Sequence, residues 1–149
     1  MVLIKTLQKL EPVFIDAGKL AQKMQKGVER HDKYATGDAV VDIVTAADLK
    51  VQEFLLEAMA KTDLVKCHLM AEENTETAQK FNNEGEYYLT LDPIDGTANY
   101  AAGGHDFCVI VSLHNGKELL YTFIHFPVLN WKAKNILSGL YLKRLSKRP

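Results

Sequence analysis

Two aspartates flank a proline in the segment LDPIDGTANY at residues 91–100, a spacing that suits metal binding. Pro93 has no N–H and disfavours helix, so the backbone turns there. The turn can direct the Ile94 carbonyl toward the same point as Asp92 and Asp95. Oxygen ligands without cysteine or histidine favour Mg²⁺ over zinc or copper. The segment is therefore a candidate magnesium site.

The glycine and threonine that follow extend this site toward an anion. Gly96 permits close approach of the backbone, and a helix that begins near Thr97 would point free N–H groups at a phosphate. Asp-Pro and Asp-Gly are also common turn dipeptides, and Asp95 could simply cap a helix. The segment alone leaves both interpretations open.

Further acids could meet the same site. Glu72 and Glu73 end another predicted strand, so they could share a sheet edge with Asp92. Asp48 begins a predicted helix that follows a short extended run. Each has a structural alternative: the glutamates may form a solvated strand end, and Asp48 may only complete a capping box with Thr45.

The elements that must position these residues are helices followed by mostly antiparallel strands. Apolar residues at intervals of three and four predict an amphipathic helix from Thr6 to about Glu29, in which Pro12 either introduces a kink or marks the first turn. A second helix is predicted from Thr45 to about Lys61. The other expectations are a loop at 30–39, an extended run at 40–44, strands at 64–70, 87–92, 107–113 and 119–126, a short helix at 75–81 and an Asn-Gly hairpin turn at 115–116.

Composition places the chain among ordinary globular proteins. It has 149 residues, of which 47% are hydrophobic and 25% charged, and the formal net charge is −1. We see no signal peptide and no apolar stretch of the ~20 residues that cross a bilayer, so we expect a cytoplasmic protein without a membrane partner. Cys67 and Cys108 lack paired spacing, which predicts reduced core thiols rather than a disulfide or a zinc site.

Three segments together resemble ordered motifs of the inositol monophosphatase family: VDIVTAAD at 41–48, AEE at 71–73 and the segment at 91–100. The similarity runs from the first helix to about Asn130. It implies an α+β chain that forms the N-terminal portion of the layered αβαβα sugar-phosphatase fold, with two long helices packed on a largely antiparallel sheet. It also implies a Mg²⁺-dependent, lithium-sensitive phosphatase that hydrolyses a small phosphorylated polyol or sugar.

The resemblance assigns metal ligands. Glu72, Asp92 and the Ile94 carbonyl would hold a first Mg²⁺, whose water molecule is the nucleophile. Asp92 and Asp95 would hold a second Mg²⁺ near the leaving oxygen. The metal would lower the pKa of the water and so supply hydroxide near neutral pH.

The resemblance also assigns catalytic and phosphate-binding residues. Asp48, Thr97 and Glu72 form the catalytic set, in which Asp48 and the Thr97 hydroxyl orient or deprotonate the water that the Glu72-bound metal holds. Gly96 and Thr97 would bind the phosphate through their N–H groups, beside Asp95. Positioning and neutralisation of charge would supply most of the catalysis.

The sequence departs from the family pattern in several ways. The family's chain is nearly twice as long, and its Trp-Asp-x-Ala-Ala-Gly motif, which completes the second metal site, is not found here. Ala71 stands where a glycine is usual, and Lys33 is only a candidate for a loop lysine that some members use. We expect activity to be impaired and the chain to be the product of a truncated or frameshifted gene.

We divide the chain into a family-like domain at 1–130 and a divergent basic tail at 131–149. The tail holds six of the 18 basic residues and none of the 19 acidic ones. The alternative function is therefore a catalytically inactive remnant, or a module that binds nucleic acid or a protein through the tail. Half of a layered fold would leave apolar surface uncovered, which predicts marginal stability or a homodimer.

Overall fold

The structure is a computed structural model that describes residues 2–31, 37–136 and 139–144, without the side chains of residues 27–45, 137–142 and 144. Residues 32–36, which make up half of the loop predicted at 30–39 and include Lys33, lie outside the described residues.

Two long helices open the chain. Helix α1 spans Val2–His31 and helix α2 spans Gly37–Met59. The amphipathic pattern that predicted α1 is confirmed, because Leu7, Phe14 and Ala17 are completely buried on one face. Pro12 lies in the interior of α1, so the alternative in which it marks the first helical turn is wrong.

The start of the second helix is a correction. Residues 40–44, predicted to be extended, are helical, and neither Thr45 nor Asp48 lies at a helix start. Valine and isoleucine cost at most about 0.7 kcal/mol per residue in a helix relative to alanine. Downstream, α2 buries Val51 and Leu55 completely in the core, and this packing outweighs so small a local preference.

The strands form one six-stranded sheet in chain order, with β1 parallel to β2 and every later pair antiparallel. The expected α+β architecture is confirmed. The remaining elements are β1 (His68–Ala71), β2 (Tyr88–Asp95), the short helix α3 (Thr97–Ala101), β3 (Cys108–His114), β4 (Leu119–Phe126), β5 (Trp131–Ile136) and β6 (Gly139–Arg144).

Two predicted elements are shorter than expected. The strand predicted at 64–70 begins only at His68, because Asp63–Lys66 forms a 3-10 turn whose Leu64 N–H is capped by the Thr62 hydroxyl at 3.2 Å. The helix predicted at 75–81 is also a single 3-10 turn, Thr77–Lys80. Both turns lie beside β1 and fix where it ends.

Strands β5 and β6 continue the sheet beyond Asn130. Asn130 adopts a positive φ of 58° in the turn after β4. Lys132 and Lys134 of β5 each place their ammonium group 3.0 Å from the Glu11 carboxylate on α1. Two of the six basic residues of the tail thus have an internal partner, and their strand is tied to the first helix.

Both long helices lie against one face of the sheet. The core between them includes the inward side chains of β2, β3 and β4, such as Leu91, Val111 and Phe123. The opposite face, which the register assigns to Met70, Thr90, Ser112, Thr122 and Asn135, carries no helix among the described residues. No described helix is long and apolar enough to cross a membrane.

Candidate metal and phosphate site

The parallel pairing of β1 and β2 brings two of the predicted acids to one edge. Ala71 pairs with Leu91, so Glu72 and Asp92 follow side by side where the pairing between β1 and β2 ends. Glu72 is exposed and Asp92 is half-buried. The shared sheet edge expected from the sequence is confirmed, because parallel neighbours end at the same side.

The segment after Leu91 is held by an irregular strand end. The ladder between β2 and β3 shifts register between Asp92 and Asp95, where Pro93 has no N–H to donate. The Asp92 Oδ1 accepts a hydrogen bond of 3.1 Å from the Ile94 N–H. The local turn chemistry that the sequence indicated is present, and it fixes the orientation of the Asp92 carboxylate.

Gly96 begins the next turn with a φ of +91°, a conformation that side-chain-bearing residues rarely adopt. A Cβ at this position would lie 2.7 Å from the Asp106 carbonyl oxygen. Helix α3 follows, and the Thr97 hydroxyl donates a 3.1 Å hydrogen bond to the Ile94 carbonyl. Conformation and space therefore both require glycine, and Thr97 lies next to a predicted metal ligand.

Asp48 is buried on α2, and its Oδ1 has no hydrogen-bond partner among the described residues. Burial, and then the charges of Glu72, Glu73 and Asp92, raise the pKa of Asp48 from 3.8 to about 7. These acids, which come from separate parts of the chain, are close enough to repel one another. The arrangement concentrates negative charge around the buried Asp48 carboxyl group.

The pKa of Asp92 is raised for the same reasons. Burial, followed by the charges of Glu72 and Asp95, raises its pKa from 3.8 to about 6, although the hydrogen bond from the Ile94 N–H opposes the rise. Two neighbouring carboxyl groups with raised pKa values mark a place where a cation would be strongly favoured.

The donor set fits Mg²⁺. In the part of the chain that the structure describes, no three His, Cys, Asp or Glu side chains are grouped as a ready metal cage. Mg²⁺ does not need one, since it keeps several waters and uses one or two carboxylates. The main-chain oxygen of Ile94 and the orphaned Asp48 Oδ1 add oxygen donors or acceptors, so the residues present suit this ion.

Two buried glutamines support the site, and the sequence analysis missed both. Gln52 on α2 is completely buried and holds the main chain of Glu73 by two hydrogen bonds, of 2.5 and 3.0 Å. Gln25 on α1 donates to the carbonyls of Tyr100 and Gly104, at 3.1 and 2.8 Å. A polar residue on the apolar face of a helix was the signal available in the sequence.

The inositol monophosphatase family model matches residues 6–145. The chain belongs to the inositol monophosphatase family. The match runs past Asn130 and covers β5 and β6, which the sequence analysis had placed in a divergent tail. The family is one of metal-dependent phosphatases, which are phosphoric monoester hydrolases.

Individual relatives agree with this family. The chain is 27% identical over 124 residues to an inositol monophosphatase of Dictyostelium discoideum, covering 83% of this chain and 44% of that protein. It is 31% identical over 111 residues to inositol monophosphatase 1 of Saccharomyces cerevisiae, covering 72% and 36%. This chain thus spans less than half the length of either protein.

A solved structure shows the same fold. The extragenic suppressor protein suhB from Bartonella henselae superimposes on this inositol monophosphatase family chain with a TM-score of 0.72, at 18% sequence identity. The alignment covers 97% of this chain and 54% of that one. At this level of identity the comparison concerns the fold alone, and it confirms the expected portion of the inositol monophosphatase-like architecture.

Proposed function

We propose that the chain hydrolyses a small phosphate monoester with the help of Mg²⁺ bound at the carboxyl ends of β1 and β2. The observation that carries this proposal is the buried Asp48, whose Oδ1 has no hydrogen-bond partner among the described residues and whose charge is opposed by Glu72 and Asp92. Such a cluster costs free energy unless a cation occupies it. Family membership supplies the reaction class.

The acidic residues would hold two metal ions and accept a proton. Glu72, Asp92 and the Ile94 carbonyl would hold one Mg²⁺, and Asp92 with Asp95 would hold a second. Bound Mg²⁺ neutralises phosphate charge and lowers the pKa of a water molecule. Asp48, a buried carboxylate beside these ligands with an unpartnered Oδ1 among the described residues, would orient the attacking water and accept its proton.

Thr97 and Gly96 would complete the site. The Thr97 hydroxyl already donates to the Ile94 carbonyl, so its oxygen lies where it can accept a hydrogen bond from the attacking water. The N–H groups of Gly96 and Thr97 lie at the tight turn before α3 and would bind the phosphate, beside Asp95. Because this turn is already formed against the Asp106 carbonyl without a ligand, it would present these donors before the substrate arrives.

Release of inorganic phosphate from inositol 1-phosphate in the presence of Mg²⁺ tests the proposal. We expect Asp95→Asn to abolish release. Asp63→Asn is the matched control, because Asp63 is 61% exposed in its side chain and forms an exposed ion pair with Lys66. Activity that survives Asp95→Asn would contradict the site assignment.

The second candidate function is a protein that keeps the fold and binds the cation without turnover. It is favoured because the cluster of Asp48, Glu72 and Asp92 accounts for binding of a cation and does not by itself require turnover. In that case Mg²⁺ would raise the melting temperature and no phosphate would be released.

The ion pairs of Lys132 and Lys134 with Glu11 argue against these two residues as a nucleic-acid surface. Binding to DNA that weakens steeply with salt would reverse that judgement.

We further propose a homodimer formed through the sheet face on which no helix lies in the described part of the chain. Met70 is 52% exposed and Trp131 is 41% exposed on this face, which contains other half-buried side chains. Light scattering should give twice the mass of one chain, and Trp131→Lys should reduce the measured mass to that of one chain. A wild-type monomer would contradict the proposal.

A cytoplasmic location stays a proposal, consistent with Cys67 and Cys108 as free, buried thiols.

A further inference from the structure

We propose that Cys108 is a positioning residue whose thiol holds the Asp95 carboxylate in the orientation that binds a cation. This inference rests on the proposed function, because it assigns a supporting role within the same site. The sequence analysis treated Cys108 only as a core thiol.

The contact itself defines the direction of the hydrogen bond. The Cys108 Sγ lies 3.5 Å from the Asp95 Oδ2. An ionised carboxylate can only accept, so the thiol donates. Within the described residues, Cys108 is the side chain that hydrogen-bonds to this carboxylate. Asp95 is otherwise exposed, and the thiol selects among its rotamers.

The fold makes the donor rigid and leaves the acceptor accessible. Cys108 is 5% exposed, and its neighbours Phe107 and Val109 are buried. It pairs with Asp95 at the first position of β3, after the register shift in β2. A buried donor on a strand that holds an exposed carboxylate is the arrangement by which an outer group orients a metal ligand.

An independent observation indicates that a ligand belongs beside this pair. Asp48 is 5% exposed and its Oδ1 has no partner among the described residues. Asp48 interacts electrostatically with Asp92, which in turn interacts with Asp95. Asp95 therefore lies next to a cluster of acids that favours a bound cation. The orientation of its carboxylate would affect the affinity for that cation.

The test compares Cys108→Ala, which removes the donor, with Cys108→Ser, which keeps one. Cys67→Ala is the matched control, because Cys67 is also a free, buried cysteine and makes no contact with the site acids in the described structure. Each variant of the full chain is first compared with wild type by circular dichroism and thermal unfolding. This identifies any variant that has lost its fold.

The first readout is Mg²⁺ binding by calorimetry without substrate. We expect Cys108→Ala to weaken binding about three- to tenfold, less than the ~10–100-fold typical of such outer groups because a thiol is a weak donor. Cys108→Ser should bind nearly as wild type, and Cys67→Ala should be unchanged. The proposal would be overturned if Cys108→Ala bound Mg²⁺ as tightly as wild type. It would also be overturned if a folded Cys108→Ser lost as much Mg²⁺ affinity as Cys108→Ala.

The second readout needs no metal. Three-bond couplings measured by NMR report the χ1 rotamer of Asp95 in the metal-free chain. We expect one dominant rotamer in wild type and Cys108→Ser, and averaged couplings in Cys108→Ala. A chain that binds no Mg²⁺ would refute the proposed function while these couplings still decide the role of Cys108. Averaged couplings in the wild type would overturn the positioning role directly.

Discussion

Asp48→Asn should stabilise the metal-free protein at neutral and alkaline pH. Burial and the neighbouring acids raise the pKa of Asp48 from 3.8 to about 7. At roughly 1.4 kcal/mol per pKa unit, this corresponds to a cost of folding of about 4 kcal/mol when the group is charged in both states. Because local relaxation and water entry reduce such penalties, we expect a gain of about 2 to 4 kcal/mol from the neutral amide.

The sign of the pH dependence follows from linkage. The folded pKa lies above the unfolded one, so the penalty is absent below about pH 4, grows as pH rises, and is complete above about pH 7. Asp48→Asn should therefore leave the free energy of unfolding nearly unchanged at about pH 4 and raise it at about pH 8. Mg²⁺ should shrink the difference, because a bound cation compensates the wild-type charge.

Urea unfolding in the presence of a chelator measures both values. Asp63→Asn is the control, and since its side chain is 61% exposed we expect a change within about 0.5 kcal/mol at either pH. An Asp48→Asn protein that is less stable than wild type at pH 8, or equally altered at both pH values, would refute the reasoning. Asp48 would then not carry an uncompensated charge.

Three further predictions concern the scaffold. Burial, with the charges of Lys19 and Lys132, lowers the pKa of His125 to about 4, so the free energy of unfolding should fall by about 3 kcal/mol as pH drops from about 6.5 to about 4. Gly96→Ala should cost about 1 to 3 kcal/mol, because it combines a positive φ with a clash at the Asp106 carbonyl. Glu11→Gln should cost about 2 kcal/mol or more, since it leaves two lysines of β5 without their counter-ion. Urea titrations measure all three.

Matched variants isolate each of these effects. His125→Gln should lose the acid-dependent slope, and a slope that persists would assign it to other groups. Gly116→Ala shares a positive φ, yet its nearest contact would be the Tyr88 ring at 3.7 Å, so it should cost less than Gly96→Ala. Asp16→Asn breaks an exposed ion pair and should change stability by less than about 0.5 kcal/mol. Equal effects of Glu11→Gln and Asp16→Asn would contradict a structural role for the Glu11 contacts.

Local patterns in the sequence predicted much of the site. The turn chemistry of Pro93 and the tight turn at Gly96 depend on backbone preferences within a few residues, and both appear as expected. The contact with the Asp106 carbonyl that requires glycine at position 96 comes from the tertiary structure. The convergence of Glu72 and Asp92 was predictable because each follows the last paired residue of two neighbouring parallel strands. The start of α2 was not, since the preference of valines for strands is weak beside the packing of a long helix.

Support from distant residues escaped the sequence analysis for a different reason. The hydrogen bonds from Gln52 to Glu73 and from Cys108 to Asp95 join residues 21 and 13 positions apart, across separate elements. No periodicity encodes such pairs. The same holds for Lys132 and Glu11, which are 121 positions apart. Their ion pair shows that a basic residue of the C-terminal segment contacts the first helix, which the charge pattern alone does not predict.

The sequence by itself determined the family resemblance, the α+β order of elements and the types of residue at the site, because these depend on local spacing and composition. The tertiary structure alone decided how these residues affect one another. It buries the side chain of Asp48, on α2, beside Glu72 and Asp92. The pKa values of Asp48 and Asp92 are thereby raised toward neutrality. Burial and the distances between charges depend on the packing of helix against sheet, which no local pattern specifies.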